Sequence, residues 1–269
     1  MPEPTNTQPG ALQMSDQELV AEAARSRMVT FASVLTVTLF TAYFMLTTLV
    51  VRNGEGSGTS RLLETVHEHK APFIIAGMAF SLGILLTGTL LAHLALSAQQ
   101  RSSVVPKFLV GLAFGGPAFY AIVYPIFIVA LVTAAKNFAG AEIQNAKAAT
   151  DAINSGWIGV IVAIEPFARV FVVAAWVMTS MQAMRVGLLT RLVGFVGVAI
   201  GALFFFSSGL SAFVAIFWIG AVAITLLGDG RNVPPAWKLG RPVPWSEVAQ
   251  IAAQQSAGED ASQFDKSEQ

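Results

Sequence analysis

Cysteine is absent from all 269 residues. Disulfides, thiolate metal sites, iron–sulfur clusters and cysteine nucleophiles are excluded with it. Charge is scarce as well: only 12% of the residues are charged, 16 of each sign, so the formal net charge is zero. Such a chain has no overall attraction to nucleic acid, and it carries no nucleic-acid-binding motif. Also missing are a glycine-rich phosphate loop with a following lysine, an HExxH helix, a serine-nucleophile elbow and a histidine pair placed to hold haem. Glu165 is the only acidic residue inside any long apolar run, which excludes a paired-aspartate protease. These absences predict a protein that is not an enzyme, with no cofactor and no nucleic-acid partner.

What the chain has in quantity is apolar surface. Hydrophobic residues make up 54% of it and the mean hydropathy is +0.63, far from the balance of a soluble domain. A bilayer core about 30 Å thick needs roughly 20 apolar helical residues per crossing. Five stretches qualify: Met28 to Val51, Pro72 to Ala98, Phe108 to Ala135, Trp157 to Met184, and Leu192 to Gly228. The last would make a helix of about 55 Å, nearly twice the core thickness, so "SSGLS" at Ser207 to Ser211 reads as a hairpin turn. The expected fold is an all-α, polytopic transmembrane bundle of six spans occupying 28–228. Residues 1–27 form a cytoplasmic N-terminal segment with no apolar signal-peptide core, and "SDQE" at Ser15 to Glu18 fits a capping box opening a short amphipathic helix. Residues 229–269 form a cytoplasmic juxtamembrane tail, disordered at its acidic end.

Lysine and arginine set the orientation. Arg25, Arg27, Arg101, Lys107, Arg185, Arg191, Arg231, Lys238, Arg241 and Lys266 fall on the side of the termini, against Arg52, Arg61, Lys70, Lys136 and Lys147 on the other. Both termini are therefore expected in the cytoplasm. Small residues four apart allow close helix approach in lipid, and Gly111 with Gly115 and Gly197 with Gly201 have that spacing. Pro117, Pro125 and Pro166 are expected to bend their helices or, for Pro166, to mark a helix start.

Candidate chemistry centres on "AIEPFARVF". Glu165 stands four residues before Arg169, the order that lets the two side chains meet along one helix face. Trp176, Thr179 and Ser180 fall near that face, and Phe167, Phe171, Ala174 and Met178 fall opposite, so the polar stripe is expected to face protein. Counted from the exterior helix ends, Glu165 and Arg169 lie about 12 and 18 Å deep, beside Tyr124 at about 16 Å and Tyr43 at about 12 Å. Those tyrosines are the expected partners. If the helix begins at Pro166, the charges instead sit near the interface and Arg169 snorkels. His93 lies about 32 Å down its own helix and is not expected to meet Glu165. In "RLLETVHEHK", Glu64, His67, Glu68 and His69 combine carboxylate and imidazole, a ligand set suited to zinc or another first-row divalent metal; the same run also reads as a solvated helix start before Pro72, and this reading is preferred.

The tail "GRNVPPAWKLGRPVPW" mixes Arg231, Lys238 and Arg241 with Trp237, Trp245 and four prolines. Indoles and cations suit an anionic headgroup layer, so these residues are expected along the membrane surface. "PPAWKLGRPVPW" after a final span resembles the juxtamembrane tail of multi-pass membrane proteins of actinobacteria that have no assigned activity. The resemblance covers about a dozen residues and implies a bacterial cytoplasmic (inner) membrane, with no function attached. The partners to expect are the lipid bilayer and a membrane-protein partner or a second copy of the chain. Two roles fit. One is a small transporter or ligand-binding membrane protein that uses Glu165 and Arg169. The other is a non-catalytic structural or accessory subunit in which the pair fixes helix packing.

Overall fold

The computed structural model describes residues 11–52, 58–206, 208–227, 233–243 and 247. Among them, helices are the only extended elements, joined by one isolated β-bridge between Ala11 and Ser102. The helices are α1 (Asp16–Arg52), α2 (Thr59–Glu68), α3 (Lys70–Arg101), α4 (Phe108–Ala139), α5 (Ala146–Asn154), α6 (Gly156–Arg185), α7 (Arg191–Phe206), α8 (Ser208–Leu227) and α9 (Pro235–Leu239). Five of these, α1, α3, α4, α6 and α8, are long and apolar enough to cross a membrane. The chain is a multi-pass membrane protein built as a helix bundle.

Backbone satisfaction explains the long helices, since unpaired amides have no water to bond in lipid. The capping box forms: the Ser15 amide and hydroxyl both donate to Glu18 Oε2, at 2.8 and 2.9 Å. It opens one continuous helix of 37 residues, rather than a separate short helix followed by a span. Nothing between Asp16 and Arg52 interrupts it, because neither glycine nor proline occurs there. Helix α4 runs through Pro117 and Pro125, and α6 through Pro166. Pro166 therefore does not start the helix, and Glu165 and Arg169 stand in its interior.

Packing follows the small residues. A side chain at Gly201 would come within 2.7 Å of Val177 on α6, so the α6–α7 contact depends on bare backbone there. Gly111 and Gly115 have no neighbour within 4 Å and face outward. The main core joins Phe40, Phe80, Tyr120, Trp176, Phe204 and Trp218. A second cluster lies at the opposite end from residue 11, where Leu63 and Val66 of α2 and Ala149 and Ala152 of α5 cover Ala134 and Phe138 of α4. Outward side chains such as Phe31, Phe167, Phe195 and Phe217 are exposed and apolar, as lipid contact requires.

Candidate functional site

Helix periodicity brings Glu165 and Arg169 together one turn apart on α6. Arg169 donates from Nε and Nη2 to Glu165 Oε1, the former at 3.1 Å, and the Glu165 residue is only 3% exposed. Tyr120 of α4 donates its phenol to the same oxygen at 2.6 Å. Arg169 also reaches the Phe205 carbonyl on α7 at 3.4 Å. That carbonyl belongs to the last turn of α7, where a helix has acceptors without intrahelical donors and the negative end of its dipole. A guanidinium suits both needs.

The phenol on Glu165 belongs to Tyr120, one helical turn from Tyr124. Helices α4 and α6 pack with Gly116 against Phe171 and Tyr120 against Glu165. This register sets the start of α6 level with about residue 130 of α4, so α4 extends roughly 13 Å further. Depths counted from a common helix end miss that offset, which arises because α2 and α5 pack on the overhanging turns of α4. Tyr43 and Tyr124 lie in the adjoining layer. Both pack on Phe80, with ring centroids at 4.5 and 4.8 Å, and Tyr124 lies 5.4 Å from Tyr120. All three tyrosines of the chain thus gather beside the ion pair. Along α6, Trp176, Thr179 and Ser180 are buried, Phe167 and Phe171 exposed, and Ala174 and Met178 half-buried.

A second ionic centre occupies the end of the bundle where residues 11–15 and the tail lie. Arg101, fully buried at the C-terminus of α3, donates from Nη1 and Nη2 to the two carboxylate oxygens of Glu22 on α1, at 2.8 and 2.7 Å. Its Nη1 also bonds the Ser97 carbonyl and its Nε the Ala236 carbonyl, both at 3.0 Å. Sequence counting treats Arg101 as one of the cytoplasmic charges. The fold instead buries it against a carboxylate 79 residues away, a pairing with no local signature. His93 meets Ser26 at 3.0 Å and stacks on Trp237, 5.8 Å between ring centroids; it has no contact with Glu165.

The described part of the tail packs across the end of the bundle. Trp237 is half-buried against the main core, lies 5.2 Å from the Arg101 guanidinium and donates its indole N–H to the Leu188 carbonyl at 2.9 Å. Proline and glycine shape it for this: Pro235 opens the short α9, and Gly240 ends it with φ of +62°. Lys238 is exposed, Arg241 pairs with Glu247, and Arg231 and Trp245 lie outside the described residues. The run at Glu64 to His69 is divided between uses. Glu64 pairs with Arg61 at 2.9 Å, and His69 Nδ1 lies 3.3 Å from the Thr65 carbonyl. Among the described residues no group of three such side chains is placed to hold a metal. No protein family matches the chain, and neither a curated protein nor a solved structure matches it.

Proposed function

We propose that the chain is a six-span protein of a bacterial cytoplasmic membrane, with both termini in the cytoplasm, that binds or transports a small polar ligand at the Glu165–Arg169 pair. The span count is supported at the terminal segments. The Met14 amide bonds the Gly240 carbonyl at 3.0 Å, so the start of α1 and the segment after α8 share one end of the bundle. The chain from Leu227 to Val233 reaches at most about 20 Å, less than the bilayer core. An even number of passes is then needed, and α7 supplies the sixth. Its 16 residues make about 24 Å of helix, with Arg169 completing the short end. Trp218 Nε1 bonds the Val193 carbonyl at 2.7 Å, in keeping with α7 and α8 as an antiparallel hairpin. The resemblance of the tail to actinobacterial membrane proteins supports the bacterial setting.

The observation that carries the ligand role is the meeting of the Tyr120 phenol and the Arg169 guanidinium on the buried Glu165 carboxylate, with Tyr43 and Tyr124 in the adjoining layer. Ionisable groups inside lipid are costly and mark sites by default, and hydroxyls beside an acid–base pair offer directional bonds to a polar solute. A specific observation favours the second reading, an accessory subunit: Arg169 already serves the end of α7 through Phe205. Thermal unfolding of purified protein against a panel of small ions and zwitterions distinguishes them. The ligand reading expects at least one compound to raise the melting temperature of the wild type and leave Glu165→Gln/Arg169→Met unmoved. Absence of any such compound, together with a double mutant that fully complements a deletion strain, identifies the pair as structural.

A further inference from the structure

The segment 233–243 crosses the end of the bundle above Glu22, Ser26, His93 and Arg101. Most of the hydrogen bonds that fix it to the bundle use its backbone groups, with the Trp237 indole as the side-chain exception. The Ala236 carbonyl accepts from Arg101 Nε, Trp237 donates to Leu188, and the Val243 amide donates to the Val186 carbonyl at 3.2 Å. Gly240 and Leu239 accept from the Met14 amide and from Gln13 Nε2, both at 3.0 Å. Beneath it, each ionisable group has its own partner inside the bundle. Arg101 holds both Glu22 oxygens and the Ser97 carbonyl, and His93 holds Ser26.

This division has an energetic consequence. Stranding a buried charge is severely unfavourable, but lifting the segment leaves Arg101 and Glu22 paired with each other, because it contributes to Arg101 only a carbonyl and an indole face. Water replaces a carbonyl acceptor or an N–H donor at small net difference. The apolar part is made of small side chains, with Pro234, Ala236, Pro242 and Val243 covered and Trp237 partly so. Pro234 and Pro235 restrict the free segment, so less conformational freedom is lost at those positions when it returns. The receiving surface is shaped for backbone: Gly187, at φ of +79°, leaves no room for a side chain beneath the Val243 carbonyl.

We propose that residues 233–243 are a detachable strap, held by Trp237 between Arg101 and His93, whose release uncovers a preformed polar site of Glu22, Ser26, His93 and Arg101 at the terminal end of the bundle. The strap opens as a local unit while the helices stay packed, the behaviour of a low-stability segment on a stable scaffold. It is independent of any ligand at Glu165.

The cysteine-free chain makes the test direct. Val243→Cys places a thiol on the buried face of the strap itself, and Val105→Cys places one in the buried α3–α4 connection at the same end; the two valines are 0% and 4% exposed. Full-length protein in detergent is treated with a small maleimide, with and without Trp237→Ala. The strap predicts that Val243→Cys reacts at least about tenfold faster than Val105→Cys, and that Trp237→Ala accelerates the first about tenfold further and leaves the second unchanged. Equal rates at the two positions, or equal acceleration of both by Trp237→Ala, overturns the proposal. So does loss of the folded bundle in Trp237→Ala, since a strap is removable without unfolding what it covers.

Discussion

Tyr120 and Arg169 meet on one oxygen of Glu165, the phenol at 2.6 Å and the guanidinium Nε at 3.1 Å. That single atom ties α4 to α6, and Arg169 continues the tie to α7. Glu165→Gln leaves the guanidinium without its counter-charge, and Arg169→Met leaves the carboxylate with the Tyr120 phenol but no counter-charge. Each is expected to lose about 3 to 5 kcal/mol, whereas the double replacement returns most of it. Thermal unfolding of the four proteins in detergent checks this, and additive losses in the double mutant would refute a mutually neutralising pair.

The tyrosines are separable by their bonds. Tyr120→Phe deletes a hydrogen bond to a charged acceptor and is expected to lose about 1.5 to 3 kcal/mol. Tyr124→Phe keeps the ring against Phe80 and is expected to lose less. Melting temperatures that fall equally for both would remove Tyr120 from its special position.

Orientation is open to chemical labelling. Single cysteines at Ser57 and Gln144 are expected to react with an impermeant thiol reagent in intact cells, and one at Ser262 only after the membrane is opened. The reverse pattern would invert the topology and move the strap to the outer face.

The two glycine pairs are expected to behave oppositely. Gly201→Leu drives a side chain into Val177 and the backbone of α6, at a loss of at least about 1 to 3 kcal/mol from overpacking. Gly115→Leu enters open space, and its stability is expected to stay within about 0.5 kcal/mol of wild type. A Gly115→Leu protein that is as damaged as Gly201→Leu would mean that this face is covered by another subunit.

Much of the site along α6 was legible in one dimension. Four-residue spacing brings Glu165 to Arg169, and helical periodicity sorts buried Trp176, Thr179 and Ser180 from exposed Phe167 and Phe171, because both depend only on one helix's geometry. The same spacing rule fits Gly111 with Gly115 and Gly197 with Gly201 equally well. It cannot say which pair meets a neighbour, since that depends on how the helices are turned toward one another.

Composition and hydropathy by themselves determined that this is a helical membrane protein, where its long apolar helices run, and that a charged pair interrupts one of them; lipid imposes those features on any single segment. The tertiary structure decided which tyrosine meets Glu165, through the overhang of α4 beneath α2 and α5. It also decided that Glu22 pairs with Arg101, and that Trp237 folds back onto the bundle. Each of these joins residues from separate elements, and the offsets and docking that bring them together come from packing between helices, to which no local run of sequence is sensitive.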